Sequence, residues 1–487
     1  MKNCKKSISV LLCLCLALGM VSLVGCGKTG GAGVTQEVTL PDMTDEREPS
    51  DEVIADYEDK IASAFGGIDP VAVADLTYTT EDGCVTITGY TGGEIIVVLP
   101  DIIEDMPVVS IAEKAFSGSA MTALYIPDSV EVIGFGALEK CNSLRTLRTP
   151  VVTAGGDVHP YFGALFGATS YEVNYASISH KLTTVLVGGD VASIPDYAFY
   201  DCNNLTCVSL PDSVATIGKF AFWGCSALTY LDLSQTALAS IGSRALTNCM
   251  ALLRFDLPVT VTSIGEGVIE GCGSLEGMTL PFVGGTADGM PHEDEAETTD
   301  EEENISRCDY LGYLFGAKSY TFTEGFIPAS LMEITLHEGC KTIPDNAFYG
   351  VSCVREWGIP NSIETIGRRA FYGCKWLTAL TLPQNLTSIG DDAFHGCHRL
   401  ERVTGGDNHA LTDMGVQVFM DCYSLKTVTL PDSMTYIPNA CFAGCISLET
   451  VTASGVATAD KVGKQAYRHC DHLTAAPFMG NEEKETH

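Results

Sequence analysis

The sequence predicts a repeat solenoid, in which coils stack into one elongated body instead of forming several globular domains. One phrase recurs along the 487 residues: isoleucine-glycine, two variable residues, alanine-phenylalanine, two variable residues, cysteine, two variable residues and leucine. It occupies residues 217–228, 366–377 and 389–400. Its first isoleucine recurs in steps of 23 or 24 residues within two series, at Ile194, Ile217, Ile241 and Ile264, then at Ile343, Ile366 and Ile389. A fixed period of this length is typical of stacked coils, and a hydrophobic content of 46% with 18% charged residues suits their continuous core.

Within one coil, the apolar pattern predicts a strand and a turn. Residues 377–383 (LTALTLP) alternate apolar and polar side chains, which predicts a short strand, and residues 205–211, 425–431 and 448–452 repeat this alternation. The tripeptide proline-aspartate-serine that follows two of these segments predicts a bend. The Ala-Phe-x-x-Cys segment gathers apolar residues at offsets of one and four, which predicts a short helical turn opposite the strand. We therefore expect one short strand from each coil, joined to its neighbours in a parallel sheet.

Half of the 20 cysteines occupy one register of the repeat. They stand three residues before the repeat leucine or its equivalent, at Cys141, Cys202, Cys225, Cys249, Cys272, Cys374, Cys397, Cys422, Cys445 and Cys470. One cysteine per coil predicts a ladder of small buried hydrophobic side chains. Equivalent positions have parallel Cβ vectors, which disfavour disulfides, so free thiols are expected. Cys353 and Cys441 lie off the ladder and are the better candidates for thiol chemistry.

The N-terminus has the pattern of an export signal. Three lysines precede an apolar stretch over residues 8–24, which is short for a permanent membrane helix. Residues 23–26 (LVGC) resemble the bacterial lipobox, and that resemblance implies cleavage before Cys26 and a lipid on its thiol. The alternative is ordinary secretion with cleavage nearby. Two or more acyl chains would make the anchoring stable.

Composition divides the remaining chain into further segments. Residues 27–50 are rich in glycine, threonine and acidic residues, which is typical of a tether. The predicted organisation is a signal peptide at 1–25, an acidic tether with one short helix at 26–75, an N-terminal β cap at 76–108, a solenoid at 109–480 with insertions near 150–190 and 282–341, and a tail at 481–487.

The two insertions carry a duplicated motif. YFGALFGATSY at 161–171 and YLGYLFGAKSY at 310–320 match at 8 of 11 positions and lie 149 residues apart. The second copy follows an acidic run at 293–303 that contains eight carboxylates. The run lacks the spaced ligands and the glycine of a calcium loop, so a solvated loop is expected there.

The leucine spacing adds a family resemblance. Leu377, Leu380, Leu382 and Asn385 fit the leucine-rich-repeat form L-x-x-L-x-L-x-x-N. The fuller phrase, Ile-Gly…Ala-Phe…Cys…Leu…Leu-Pro, resembles the BspA-like leucine-rich-repeat lipoproteins of bacterial surfaces, and so does the lead-in VTITGYTG at 85–92. The resemblance implies a right-handed stack of coils that binds proteins or adheres to other cells. Most coils of this chain have serine in place of the family's asparagine ladder, so their bends are expected to differ.

Several function classes are disfavoured. A net charge of −34 without a basic stripe argues against nucleic-acid binding. No Gly-x-Ser-x-Gly elbow is present, and no carboxylate pair is singled out, so no enzyme activity and no catalytic residues are expected. Two clusters of histidine and cysteine could suggest a zinc site: His395, Cys397 and His398, and His469, Cys470 and His472. They lie three coils apart, about 14 Å at the usual strand spacing, which is too far for shared zinc ligation. We expect neither a metal site nor a cofactor.

The variable positions define two candidate surfaces. The predicted outward strand positions are mostly threonine, at Thr146, Thr184, Thr279, Thr335, Thr381, Thr404, Thr427, Thr429, Thr450 and Thr452. Exposed strands also favour threonine without any ligand. Tyr230, Asp232, Arg254 and Asp256 depart from this pattern in two neighbouring coils and form a hypothesised partner-binding patch, because tyrosine and arginine are typical of binding hot spots. A second, aromatic stripe follows the repeat phenylalanine, either to grip a glycan or peptide or to pack coil against coil: Tyr200, Trp223, Tyr349, Tyr372 and His395.

These observations predict a lipid-anchored protein at the outer face of the bacterial cytoplasmic membrane or at the cell surface. The resemblance implies adhesion or protein binding, with a host matrix protein or another cell's surface as partner. The alternative is a scaffold that captures glycans or peptides for nutrient uptake. The membrane is contacted through the lipid, and nucleic acid is not an expected partner.

Overall fold

The computed structural model describes residues 65, 68–155, 158–287, 308–405 and 407–477. The chain divides into two compact units, Met1–Gly67 and Ile68–His487, and the elements that follow belong to the second. The predicted signal peptide, Cys26, most of the tether, the acidic run and the tail lie outside the described residues. Within the described ranges, no helix combines the length and apolar character that crossing a membrane requires.

The second unit begins with strands that pair partly antiparallel. These are β1 (Leu76–Glu81), β2 (Cys84–Tyr90), β4 (Ile102–Ile103) and β5 (Met106–Ile111). β1 pairs antiparallel with β2, and β4 pairs antiparallel with β5. β2 pairs parallel with β5, so the parallel pairing that continues through the solenoid begins with these two strands.

One longer strand from most coils stands in the same register as its neighbours. This long-strand series comprises β3 (Ile96–Val98), β6 (Ala123–Tyr125), β8 (Thr146–Thr149), β9 (Thr184–Val187), β11 (Cys207–Ser209), β14 (Arg254–Asp256), β16 (Gly277–Leu280), β17 (Glu333–Leu336), β19 (Glu356–Gly358), β21 (Ala379–Thr381), β23 (Arg402–Thr404), β25 (Thr427–Thr429) and β26 (Thr450–Thr452). Its strands pair in parallel in three sheets of five, four and four strands. The predicted parallel sheet is therefore confirmed, within a solenoid of about 15 turns.

A second series of strands is not predicted by the sequence pattern. These strands have two residues each and contain the first isoleucine of the phrase or its equivalent: β7 (Val132–Ile133), β10 (Ser193–Ile194), β12 (Thr216–Ile217), β13 (Ser240–Ile241), β15 (Ser263–Ile264), β18 (Thr342–Ile343), β20 (Thr365–Ile366), β22 (Ser388–Ile389) and β24 (Asp413–Met414). They also pair in parallel with the next coil. Two-residue strands carry too little alternation for a sequence pattern to reveal them.

The Ala-Phe-x-x-Cys segment is a run of turns and not a helix in the described coils, which corrects the predicted helical turn. Backbone bonds join residues three apart, as from the amide of Cys225 to the carbonyl of Phe222. Most of the other amides reach the next coil instead, as from Phe222 to Ala245. Helices occur outside the repeated phrase: the α-helix Asn174–Ser177 and the 3-10 helices Val73–Asp75, Phe162–Phe166, Tyr171–Val173, Leu311–Phe315, Tyr320–Gly325 and Ala459–Lys461.

The repeat phenylalanines form the centre of the core. Phe371 and Phe394 are fully buried, with ring centroids 5.0 Å apart and planes at 7°. Phe419 and Phe442 continue the stack at 5.7 Å and 2°. Each coil therefore buries its aromatic ring against the ring of the next coil, which a single coil could not do alone.

The cysteine ladder is buried as predicted except at Cys470, which is half-buried, and its thiols also link neighbouring coils. Cys397 Sγ donates to the carbonyl of Phe371 at 3.3 Å, and Cys225 Sγ donates to Phe199 at 3.2 Å. The same bond to the preceding coil is made by Cys141, Cys249, Cys272, Cys374, Cys422, Cys445 and Cys470. No disulfide joins the cysteines of the described ranges. Cysteine is thus suited to this register because it is small and also carries a weak hydrogen-bond donor.

At the bends, serine side chains make the hydrogen bonds between coils that an asparagine ladder would make. Ser213, Ser362 and Ser433 donate their hydroxyl groups to backbone carbonyls of the preceding coil at 3.0, 2.8 and 2.7 Å. At a comparable bend, buried Asn408 donates to Pro383 and Leu386 and accepts two backbone amides. A short hydroxyl therefore satisfies a carbonyl that would otherwise lie unpaired under the bend.

The duplicated motif belongs to the core. Its 3-10 helices, Phe162–Phe166 and Leu311–Phe315, are buried along their whole lengths. They receive backbone bonds from the preceding coil, as from Leu138 to Leu165 and from Ile269 to Leu314. Each helix therefore replaces the run of turns in its own coil, and the motif's sequence is explained by packing.

Candidate functional site

The outward face of the long-strand series is a regular array of small polar side chains. All ten threonines predicted to face outward lie on these strands, and none is buried. Their neighbours along each strand are buried, as in β25, where Val428 lies between Thr427 and Thr429. Neighbouring coils contact one another through this face, for example from Thr404 Oγ1 to Thr381 Oγ1 at 3.2 Å. The face is therefore a continuous polar surface, and the positions where the threonine pattern changes distinguish one part of it from the rest.

The pattern changes where the long-strand sheet is interrupted. Between β11 and β14, the intervening coil contributes only a single bridge, which pairs Tyr230 with Cys207. Tyr230 is half-buried beside Asp232, and burial, followed by the charge of Asp232, raises the pKa of its hydroxyl. The tyrosine stays neutral at physiological pH and presents a hydroxyl from a partly apolar setting, as at many interface hot spots.

Arg254 is held in place by two carboxylates. Its Nε and Nη2 donate to the two carboxylate oxygens of Asp256 at 2.8 and 3.2 Å, and its Nη1 donates to Glu333 at 2.9 Å. The side chain of Arg254 is 29% exposed. Burial alone would lower the pKa of the guanidinium, but the bonds and charges of Asp256 and Glu333 outweigh it and raise the pKa. The arginine is thus permanently charged and fixed in orientation.

Gly277 makes this network possible. It lies on β16, between Arg254 of β14 and Glu333 of β17 in the register of the sheet. A Cβ atom at Gly277 would stand 2.6 Å from Nη1 of Arg254, so any larger residue would displace the guanidinium. The sequence pattern did not predict Gly277 and Glu333 as site residues. The available signal was Gly277 itself, because it is a glycine inside a strand, where no turn requires one.

The structure thus brings Arg254 and Asp256 together and adds Glu333, with Asp232 one coil away. Asp232 accepts the backbone amide of Ser234 at 2.9 Å, and burial raises the pKa of its carboxyl despite this bond. Two carboxylates bind the guanidinium of Arg254 and a third, that of Asp232, lies in the preceding coil, so the patch is acidic as a whole. No nucleophile or paired general base lies among these residues, and the arrangement suits recognition by hydrogen bonds.

The predicted aromatic stripe consists of face-to-face ring stacks between coils. Tyr200 lies on Trp223 with centroids 4.7 Å apart and planes at 8°, and Tyr349 lies on Tyr372 at 4.8 Å and 7°. His395 continues the second stack, 4.7 Å from Tyr372. All five rings are half-buried. Because each ring packs a face on a neighbouring ring of the stripe, this arrangement favours the coil-packing interpretation over the gripping of a ligand.

Three further aromatic rings form a separate stack beside Tyr200. Tyr171 lies on Tyr197 at 4.1 Å, and Tyr197 lies on Phe220 at 5.2 Å. Tyr197 and Phe220 both have positive φ angles, of 60° and 56°. Most coils have one such left-handed residue just before the Ala-Phe pair or its equivalent. Sequence patterns did not reveal it because the position accepts many residue types, including arginine and glutamine.

The off-ladder cysteines are poor candidates for thiol chemistry, which corrects the prediction. Cys441 is fully buried, and burial raises the pKa of its thiol. Its Sγ lies 3.8 Å from Sδ of Met414. Cys353 is half-buried, and burial raises its pKa as well. A reactive thiol needs the opposite environment, exposed and electropositive.

Within the described ranges, no three His, Cys, Asp or Glu side chains gather closely enough to hold a metal ion. His395 lies between two carboxylates, with Nδ1 at 3.0 Å from Asp392 and Nε2 at 3.6 Å from Asp421. An open cavity of about 260 Å³ lies along β10, β12 and β13 and is lined largely by their serine, threonine and isoleucine residues. Asp196 and Lys219 also line it, and Asp196 Oδ1 accepts the backbone amide of Lys219 at 2.6 Å.

The repeats and the solenoid resemble those of known bacterial proteins. The model of the family described as BspA type leucine rich repeat region matches six copies, over residues 102–154, 173–284 and 341–474. A leucine-rich repeat protein from Bacteroides ovatus is 22% identical with a TM-score of 0.37, covering 83% of this chain and 81% of its own. A leucine rich cell surface protein from Faecalibacterium prausnitzii is 22% identical with a TM-score of 0.27, covering 81% and 97%. An internalin from Listeria monocytogenes is 13% identical with a TM-score of 0.30, covering 70% and 82%. No curated protein matches the chain.

Proposed function

Since the chain belongs to the BspA-type leucine-rich-repeat family, we propose that it is a cell-surface protein-binding module that contacts its partner through the long-strand face. The observation that carries this proposal is the fixed network of Arg254, Asp256 and Glu333 beside Tyr230, at the interruption of an otherwise uniform threonine face. Preorganised polar groups lose little freedom on binding, so they contribute affinity and select the partner. An extracellular matrix protein or a protein of another cell's surface is the partner class that fits an exported module of this kind.

The patch gives the proposal a direct test. The full chain, immobilised, is used to capture solubilised matrix and cell-surface proteins, and the same capture is repeated with Tyr230→Ala combined with Arg254→Ala. We expect the captured partner to be lost, because the two substitutions remove both anchors of the patch. Thr381→Ala combined with Thr404→Ala is the matched control on the same face and should retain it. Equal capture by the patch variant and the control would refute the patch as the binding site.

Anchoring through Cys26 is the second part of the proposal. A lipid there would hold the solenoid outside the cytoplasmic membrane while the acidic tether lets it reach a partner. Cys26→Ala should release the chain from the membrane fraction and abolish its labelling with palmitate. Retention of the label in that variant would exclude Cys26 as the lipidated residue.

Glycan or peptide capture for nutrient uptake is the alternative function. It requires open ring faces, whereas those of Tyr200, Trp223, Tyr349 and Tyr372 pack on one another. The geometry therefore favours protein binding. A saccharide that raised the melting temperature of the full chain with the logarithmic concentration dependence of specific binding would support the alternative instead.

A further inference from the structure

We propose that a second surface, the cationic ridge formed by Arg355, Trp376 and Arg399, binds an acidic segment of a partner protein. The ridge lies in three successive coils, and the first of them, the coil of Arg355, directly follows the coil of Glu333 in the sheet. The guanidinium carbon of Arg399 stands 3.5 Å from the centroid of the Trp376 ring, and that of Arg355 stands 4.6 Å from it. One indole therefore positions two arginines from the coils on either side of it.

Most other arginines that lie beside an aromatic ring or a carboxylate are paired with a carboxylate, unlike Arg355 and Arg399. Arg148, Arg244 and Arg369 each form a salt bridge with a carboxylate. Arg355 and Arg399 are exposed, and no carboxylate of the described residues lies within 4.0 Å of either guanidinium. Stacking on a ring leaves the in-plane N–H donors of a guanidinium free. Both arginines are thus prepositioned to donate two hydrogen bonds to a carboxylate, the bidentate geometry that they favour.

Further cations lie around the ridge. Arg402 on β23 and Lys426 in the next coil are exposed, and Lys375 beside Trp376 has only a long contact of 3.9 Å to Glu324. The exposed carboxylates nearby are Glu324, Glu356, Glu401 and Glu449. In a chain of net charge −34, an acidic segment meets less repulsion at a region that also carries these cations than the net charge alone would give.

Exposed apolar groups beside the ridge favour a protein as the partner. Tyr423 is 42% exposed and stacks on His398 at 4.6 Å, and Ile446 in the next coil is 45% exposed. Tryptophan, tyrosine and arginine together are the usual composition of a protein-binding hot spot. A polysaccharide would need an open indole face to stack on, whereas Arg399 already lies over the Trp376 ring. The ridge therefore suits a chain that offers carboxylates together with an apolar side chain.

Fluorescence anisotropy with a defined probe tests this proposal independently of the Tyr230 patch. The probe is a short peptide of alternating glutamate and tyrosine, compared with the same peptide carrying glutamine for glutamate. We expect the full chain to bind the glutamate peptide in low salt, with affinity falling as salt rises because the charges are exposed. Arg355→Gln combined with Arg399→Gln should weaken binding about tenfold or more. Trp376→Ala should weaken it as well, although it removes no charge, because the guanidinium groups lose their platform.

Lys341→Gln is the matched control, since Lys341 is an equally exposed cation that is already paired with Glu364 at 2.9 Å. It should leave peptide binding unchanged, and all variants alter exposed or half-buried side chains, so circular dichroism should show the same fold. Equal affinity for the glutamate and glutamine peptides, or unchanged affinity in the double arginine variant, would overturn the proposal. So would an oligogalacturonate that binds at the ridge when the peptide does not, because the ridge would then recognise an acidic polysaccharide.

Discussion

Replacing Gly390 with alanine is expected to lower the free energy of unfolding of its coils by about 3 kcal/mol, the upper part of the usual range for overpacking. A Cβ atom at this position would stand 2.4 Å from the backbone nitrogen of Arg368 and 2.7 Å from the carbonyl carbon of Gly367. These are backbone atoms of the preceding coil, so no side chain can rotate away to make room. The same close approach occurs at the equivalent glycines Gly134, Gly218, Gly242, Gly265, Gly367, Gly415 and Gly463. The glycine of the repeated phrase is therefore required by the spacing of the coils.

Gly273→Ala is the matched control, because a Cβ atom there would meet nothing within 4 Å. It should change the stability by about 0.5 kcal/mol or less. Urea unfolding followed by circular dichroism compares the two variants, and amide hydrogen exchange locates the effect. Because each coil contacts only its neighbours, faster exchange should be confined to coils near Gly390. A Gly390→Ala variant as stable as Gly273→Ala would contradict the close packing of the coils at this glycine.

Alkaline pH is expected to unfold the solenoid through its cysteine ladder. Burial raises the pKa of Cys141 to about 11 and of Cys272 to about 12, from an ordinary value of 9.0. Burial likewise raises the pKa of the ladder thiols Cys202, Cys225, Cys249, Cys374, Cys397, Cys422 and Cys445. The folded thiols stay protonated while the unfolded chain releases protons above pH 9. Stability is thus fully present below pH 9 and is lost as pH rises toward the folded-state pKa values, by up to about 1.4 kcal/mol per pH unit for each thiol.

Thermal unfolding measured between pH 7 and pH 11 checks this expectation. The melting temperature should be nearly constant up to about pH 8.5 and should fall steeply above pH 9, where the unfolded thiols ionise. A variant with Cys225→Ala and Cys249→Ala should show a shallower fall, because two of the linked protons are removed. A flat profile through pH 10.5, or an equal slope in the variant, would show that ladder thiols do not govern alkaline stability.

The architecture was predictable because it depends on residues that repeat. The period located the coils, and the single register of the cysteines predicted a buried ladder, although the predicted export signal usually accompanies disulfides. The two-residue strands were missed because Thr365–Ile366 is too short to show alternation. The helical turn was wrong because amides such as that of Phe371 bond to Ala393 in the next coil instead of within their own. Spacing in sequence cannot distinguish these two kinds of partner.

The candidate site was predictable only in part. Tyr230 and Arg254 stood out against the threonine pattern, but Glu333 lies 79 residues beyond Arg254 because an insertion separates β16 from β17, which are adjacent in the sheet. The stacking of Arg355 and Arg399 on Trp376 was missed for a similar reason, since it depends on side-chain directions and not on the shared register. Repeated positions carry the architecture, and contacts between variable positions have to be seen in the structure.

A partner protein is expected to contact the long-strand face beside the Tyr230 patch, and photo-crosslinking on intact cells that display the full chain tests this most directly. A photoreactive residue replaces Thr279, which pairs with Asp256 on the long-strand face, or Ser263, which lies on a short strand. We expect a crosslinked partner protein from position 279 and none from position 263. Crosslinking from position 263 alone, or equally from both positions, would contradict binding through the long-strand face.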